Sequence, residues 1–94
     1  MKLRTLDQLP HAFLDASART ITDRLPEPTL IHLDGARRPP LFVSVLLHGD
    51  ESTGLVAVQD VLRRHASRGL PRALSLFVGN VHAARAGVRR LPEQ

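Results

Sequence analysis

The stretch LFVSVLLHGDESTG, residues 41–54, decides how the chain is read. Residues 41–47 are apolar except for Ser44, which predicts a strand. Apolar character on both faces suits a central strand covered on both sides. The run stops at His48-Gly49-Asp50-Glu51, and Ser52-Thr53-Gly54 can start a helix. Leu55, Val58, Val61, Leu62 and His65 then share one helical face, with Gln59, Asp60, Arg63 and Arg64 falling elsewhere, largely toward solvent. Gly69 and Pro71 end that segment. ALSLFV, residues 73–78, is a second apolar strand, closed by Gly79-Asn80. Strand, helix, strand in this order predicts an α/β fold with a β-α-β unit. Its parallel strands fall at about 41–47 and 73–78 and its helix at about 53–66.

This topology bears on function. Ligands of open α/β sheets gather outside the carboxyl ends of the strands. His48 to Glu51 and Gly79-Asn80 both follow such ends, so neighbouring strands would bring them to one crevice. Elsewhere the pattern is weaker. Phe13, Leu14, Ala16, Ala18, Ile21 and Leu25 recur at irregular helical spacing within residues 1–25, and Thr20 to Asp23 interrupt them. Pro26 and Pro28 punctuate the end. Residues 29–34 read as a short half-alternating strand on the edge side, and Asp34-Gly35 opens a turn that Arg37-Arg38-Pro39-Pro40 extends.

The chain has 94 residues, which suits a single domain. Aromatics are three Phe, so Leu, Val and Ala must build the core. Without cysteine there are no disulfides and no thiolate metal sites. MKLRTLDQLPHAF places Asp7, Pro10 and His11 where a signal peptide needs apolar residues. No apolar run approaches the ~18 residues of a membrane span. These features make a cytoplasmic protein the expectation. The net charge is +4, carried almost wholly by arginine. The arginines come singly or in pairs, with no basic run and no stacking aromatics beside them, which fits a solvated surface better than a nucleic-acid footprint.

His48 and Glu51 offer an imidazole nitrogen and a carboxylate oxygen three residues apart, both suitable for Zn²⁺. Gly49 lets the backbone turn between them. By itself the spacing is weak. His48 also reads as a polar strand terminus, and Glu51 as a first-turn acid complementing a helix dipole. Among the other histidines, His65 falls near a helix C-terminus, His32 in the edge-side strand and His11 near the start. His82 follows the second strand into the same crevice and reads as a surface residue or a neighbour of the ligands.

The order of segments adds what spacing lacks. His48-Gly49-Asp50-Glu51 followed by Thr53-Gly54, then helix and strand, then Gly79-Asn80-Val81-His82-Ala83 with Arg89 beyond, resembles the start of the succinylglutamate desuccinylase/aspartoacylase family of zinc hydrolases. The family's first motif, His-Gly-x-Glu then Thr-Gly, is matched in full. Its second, Gly-Asn-Pro-x-Ala with an arginine nine residues after the Asn, is matched at Gly79, Asn80, Ala83 and Arg89. Val81 replaces the proline, and Arg90 stands where an aromatic is common. The resemblance implies the N-terminal part of a zinc carboxypeptidase-like mixed-sheet fold, with residues 1–94 as one piece of a larger catalytic domain. It implies Zn²⁺ held by His48 and Glu51, and Arg89 stabilising the oxyanion of a tetrahedral intermediate. Asn80 would shape the loop. The substrate would be a small acyl amino acid or related carboxylate, cleaved at an amide or ester bond. The family's substrate-gripping Asn-Arg pair, third ligand and general base have no counterparts in the sequence, so the chain alone is expected to be inactive. A different reading is a non-catalytic Arg-rich module that contacts an acidic partner or nucleic acid. A family member that has lost its metal is a third.

Overall fold

In the computed structural model, residues 3–48, 51–89 and 91–92 are described. Strand β1 (Arg4–Leu6) leads into two single-turn 3-10 helices, Phe13–Asp15 and Ile21–Asp23. Strands β2 (Thr29–Leu33) and β3 (Leu41–Val45) follow, then helix α1 (Thr53–Arg64), strand β4 (Leu74–Val78) and helix α2 (Val81–Ala86). The strands form one mixed sheet in the order β1-β2-β4-β3. β3 runs parallel to β4 and β1 parallel to β2, while β2 and β4 are antiparallel. The architecture is therefore α/β, and β3-α1-β4 is the expected β-α-β unit, its two strands in direct contact.

Alternation along the strands divides the sheet's faces. Ile31, Leu76, Val78 and Val45 enter one buried cluster with Leu55 and Leu62 of α1, Val81 and Ala84 of α2, and Phe13, Ile21 and Leu25. The opposite face carries Leu30, His32, Phe42, Ser44, Ser75 and Phe77, none of which is fully buried. His32 Nδ1 and Ser75 Oγ make a cross-strand hydrogen bond there, 2.9 Å long.

Several expectations are corrected. Among the described residues β3 stands at the edge of the sheet, not in a central position covered on both sides, and Leu41 and Phe42 are 52% and 65% exposed. The apolar run marked surface suited to burial, but the core covers only the face of Val43 and Val45. β2 is interior, between β1 and β4, so His32 is not on an edge-side strand. β3 ends at Val45 rather than residue 47, because Leu46 turns into the left-handed region at φ 55°. α1 ends at Arg64, where His65 leaves helical geometry as its C-cap, and β4 starts at Leu74.

The N-terminal pattern is not a continuous helix. Ala12 is left-handed at φ 60°, Ala16 is extended, and Ser17 and Thr20 bond each other's side chain and backbone. These local bonds compete with a helical ladder. Phe13, Ile21 and Leu25 still reach the core.

On α1 the buried line is Leu55, Gln59 and Leu62, while Val61 is exposed. Gln59, expected toward solvent, is only 4% exposed. Its Nε2 donates to the carbonyls of Phe13 at 2.9 Å and Ala16 at 2.7 Å, which ties the first 3-10 turn to the helix.

Candidate metal-holding site

Three backbone features bring the two sequence motifs together. The β3/β4 register pairs Val45 with Val78, so both strands end at one level. Past that level, Gly79 N–H donates to the Val45 carbonyl at 3.0 Å and Asn80 N–H to the Leu46 carbonyl at 2.6 Å. A Cβ at position 79 would lie 3.1 Å from the Leu46 oxygen, so glycine permits this approach. The left-handed Leu46 is 2% exposed and turns the chain off the sheet two residues before His48. A bulky residue with positive φ is held only where its surroundings determine it. Here burial and the Asn80 hydrogen bond do so.

His48 and Glu51 converge. Glu51 N–H donates to the His48 carbonyl at 3.1 Å, and Glu51 Oε1 accepts from the His48 backbone N–H at 3.3 Å. The same oxygen lies 3.1 Å from His48 Nδ1. Both side chains reach solvent, at 37% and 56% exposure. The pair is thus open to an ion from outside. Two ligand atoms about 2.0–2.1 Å from a tetrahedral zinc stand roughly 3.3 Å apart. The donor types suit zinc, and the His48–Glu51 separation, that of a hydrogen-bonded ion pair, is also near the spacing of two ligands around the metal. No group of three or more His, Cys, Asp or Glu able to hold a metal occurs among the described residues. Gly49 and Asp50, read in the sequence as part of this turn, lie outside the described residues, as does Arg90.

α1 begins directly after the pair, and a Cβ on Gly54 would sit 3.5 Å from Val45 Cγ1. The first turn of α1 therefore packs against the end of β3. Asn80 caps α2, its side-chain oxygen accepting from Ala83 N–H at 3.3 Å, which agrees with a loop-shaping role. Arg89 is exposed and follows Gly87, left-handed at φ 71° at the C-cap of α2. No hydrogen bond or ion pair joins Arg89 to His48 or Glu51 among the described residues. His82 is exposed in the first turn of α2, and His65 caps α1. Nothing in the sequence singled out Leu46, because a leucine ending an apolar run reads as one more strand residue.

The arginines are dispersed, as expected. Arg63 pairs with Asp15 at 3.7 Å, Arg64 with Asp60 at 2.6 Å and Arg85 with Asp23 at 3.5 Å. Exposed pairs of this kind add little stability. No helix among the described residues is long and apolar enough to cross a membrane.

Comparison with known proteins yields one informative relative. The chain is 40% identical over 62 residues to the succinylglutamate desuccinylase of Burkholderia orbicola, a match covering 64% of this chain and 18% of that protein. The chain thus spans under a fifth of the length of the curated relative it matches. No family model and no solved structure matches it.

Proposed function

We propose that this chain supplies two metal-holding residues of a zinc-dependent hydrolase of the succinylglutamate desuccinylase type. The observation that carries the reading is the convergence of His48 Nδ1 and Glu51 Oε1 to 3.1 Å at the carboxyl end of β3. The similarity to a succinylglutamate desuccinylase supports the reaction class. Bound zinc supplies a Lewis acid that acidifies water and polarises a carbonyl. His48 presents an imidazole nitrogen and Glu51 a carboxylate oxygen, both outside the core, where an ion and a small substrate have access. Asn80 holds the start of α2 beside Leu46. Arg89 carries a permanent positive charge and serves the oxyanion that develops when an amide is attacked. It lies beyond α2, whose six residues span about 9 Å. A third ligand and a base come from outside the described residues. The substrate is an N-succinyl or related N-acyl amino acid, cleaved with water to the free acid and amine.

A chimera tests this. The 62 matched residues of the Burkholderia orbicola protein are replaced by those of this chain, and succinate release from N-succinylglutamate is measured. The chimera is expected to hydrolyse the substrate. His48→Ala or Glu51→Ala should then lower kcat/KM by more than about 100-fold, the upper end of what even outer partners of a metal cause. An active chimera indifferent to both substitutions would refute the assignment.

A further inference from the structure

We propose that Leu46 is a positioning residue for the metal pair: its left-handed backbone, clamped by the Gly79-Asn80 loop, sets His48 against Glu51. This role rests on the reading of those two residues as ligands and deepens it. Leu46 stands at φ 55° and is 2% exposed. A bulky side chain in that region is an outlier, and such outliers collect where a site needs a fixed geometry. The plain end of a strand needs none.

Alternation along the chain shows what the turn does. Val43 and Val45 face the core, so a strand continued past Val45 would point Leu46 away from it and Leu47 into it. The reverse is seen: Leu46 joins the buried cluster and Leu47 is 56% exposed. The left-handed residue swaps the faces and takes the chain out of the ladder just before His48. Two residues on, the His48 carbonyl accepts from Glu51 N–H, and His48 N–H donates to Glu51 Oε1. The clamp comes from the other motif. Asn80 N–H donates to the Leu46 carbonyl at 2.6 Å, while the Asn80 side chain caps α2. Gly79 leaves the room for this: a Cβ there would meet the Leu46 oxygen at 3.1 Å and Phe77 Cε2 at 3.2 Å. The Gly79-Asn80 loop therefore acts on His48 through the backbone of Leu46.

Three variants of the chain test this by NMR. The readouts are the nuclear Overhauser contact between the His48 ring and the Glu51 side chain without metal, and the His48 response to Zn²⁺. Leu46→Val keeps an apolar side chain but is β-branched and resists positive φ. Leu46→Gly loses the side chain and takes positive φ freely. If Leu46 only filled the core, valine would be the milder change. The opposite is expected at His48. Leu46→Gly should keep both the contact and the lead of His48 over the other histidines. Leu46→Val should lose the contact and weaken zinc binding at His48 about tenfold or more, as the loss of an outer partner of a metal ligand does. Gly79→Ala crowds the Leu46 oxygen from the second motif and should move both readouts in the same direction. It keeps the test decisive if either Leu46 variant fails to fold. A His48 that follows side-chain size, near the parent in Leu46→Val and impaired in Leu46→Gly, would overturn the positioning role. So would a Gly79→Ala protein with both readouts unchanged. The metal-free contact separates the two failures. If His48 of the parent has no lead with Zn²⁺, the metal reading falls, while loss of the contact in Leu46→Val still supports the hold of Leu46 on His48.

Discussion

Gly35→Ala is expected to be strongly destabilising. A Cβ on Gly35 would fall inside the backbone of Arg72 and Ala73, with no flexible side chain to give way. The approach is enforced from both sides. Gly35 bridges Leu70, Ala36 N–H donates to the Leu70 carbonyl at 2.9 Å, and Ala73 N–H donates to the Arg37 carbonyl at 3.0 Å. Relieving the overlap means unzipping the loop that precedes β3 from the segment that starts β4. Overpacking costs about 1–3 kcal/mol where side chains can move, and more where backbone must. A domain of 94 residues has a total stability of roughly 5–14 kcal/mol at ~0.05–0.15 kcal/mol per residue. We expect a loss of about 3 kcal/mol or more, seen as a large fall in the denaturant midpoint. A midpoint within error of the parent would show that the loop does not hold this contact in solution.

Gln59→Leu should cost about 2–3 kcal/mol although it adds apolar surface to the core. Its two carbonyl partners are not equivalent. The Phe13 oxygen keeps the Ala16 N–H, at 3.3 Å, whereas the Ala16 oxygen loses the one hydrogen bond seen to it among the described residues. Gln59→Glu should cost more, because a carboxylate has no N–H to give and would face two carbonyl oxygens. Urea unfolding of the three proteins checks the order parent, Leu, Glu. If Gln59→Leu proved neutral, water would have to replace the amide, and the first 3-10 turn would not depend on α1.

How much of this was legible in the sequence depended on how local the cause was. The β3-α1-β4 unit was readable because each element is long enough to show its period and because Gly69, Pro71 and Gly79 punctuate it. β1 was not, since Arg4–Leu6 is too short to show alternation and is specified by pairing with β2. Gln59 was misplaced because its burial answers carbonyls more than 40 residues away, which no window along α1 contains. The edge position of β3 was missed for a similar reason. LFVSVLL states that its surface suits burial, while the order of strands decides which side is covered.

For the candidate site, topology alone placed His48-Glu51 and Gly79-Asn80 past the same end of the sheet; the β3/β4 pairing sets the two strand ends, Val45 and Val78, side by side. The backbone device between them, left-handed Leu46 with its carbonyl on Asn80, left no mark in the sequence. Arg89 has the spacing of the second motif, but it stands at the far end of α2 without a hydrogen bond or ion pair to His48 or Glu51 among the described residues.

The assignment of zinc to His48 and Glu51 is tested most directly by titrating Zn²⁺ into the chain while following its histidine side chains by NMR. With two protein ligands the affinity will be weak. Selectivity is therefore the readout: the His48 imidazole should respond ahead of His11, His32, His65 and His82, and Glu51→Gln should remove that lead. A response shared equally by all five histidines, or a His48 response untouched by Glu51→Gln, would contradict the assignment.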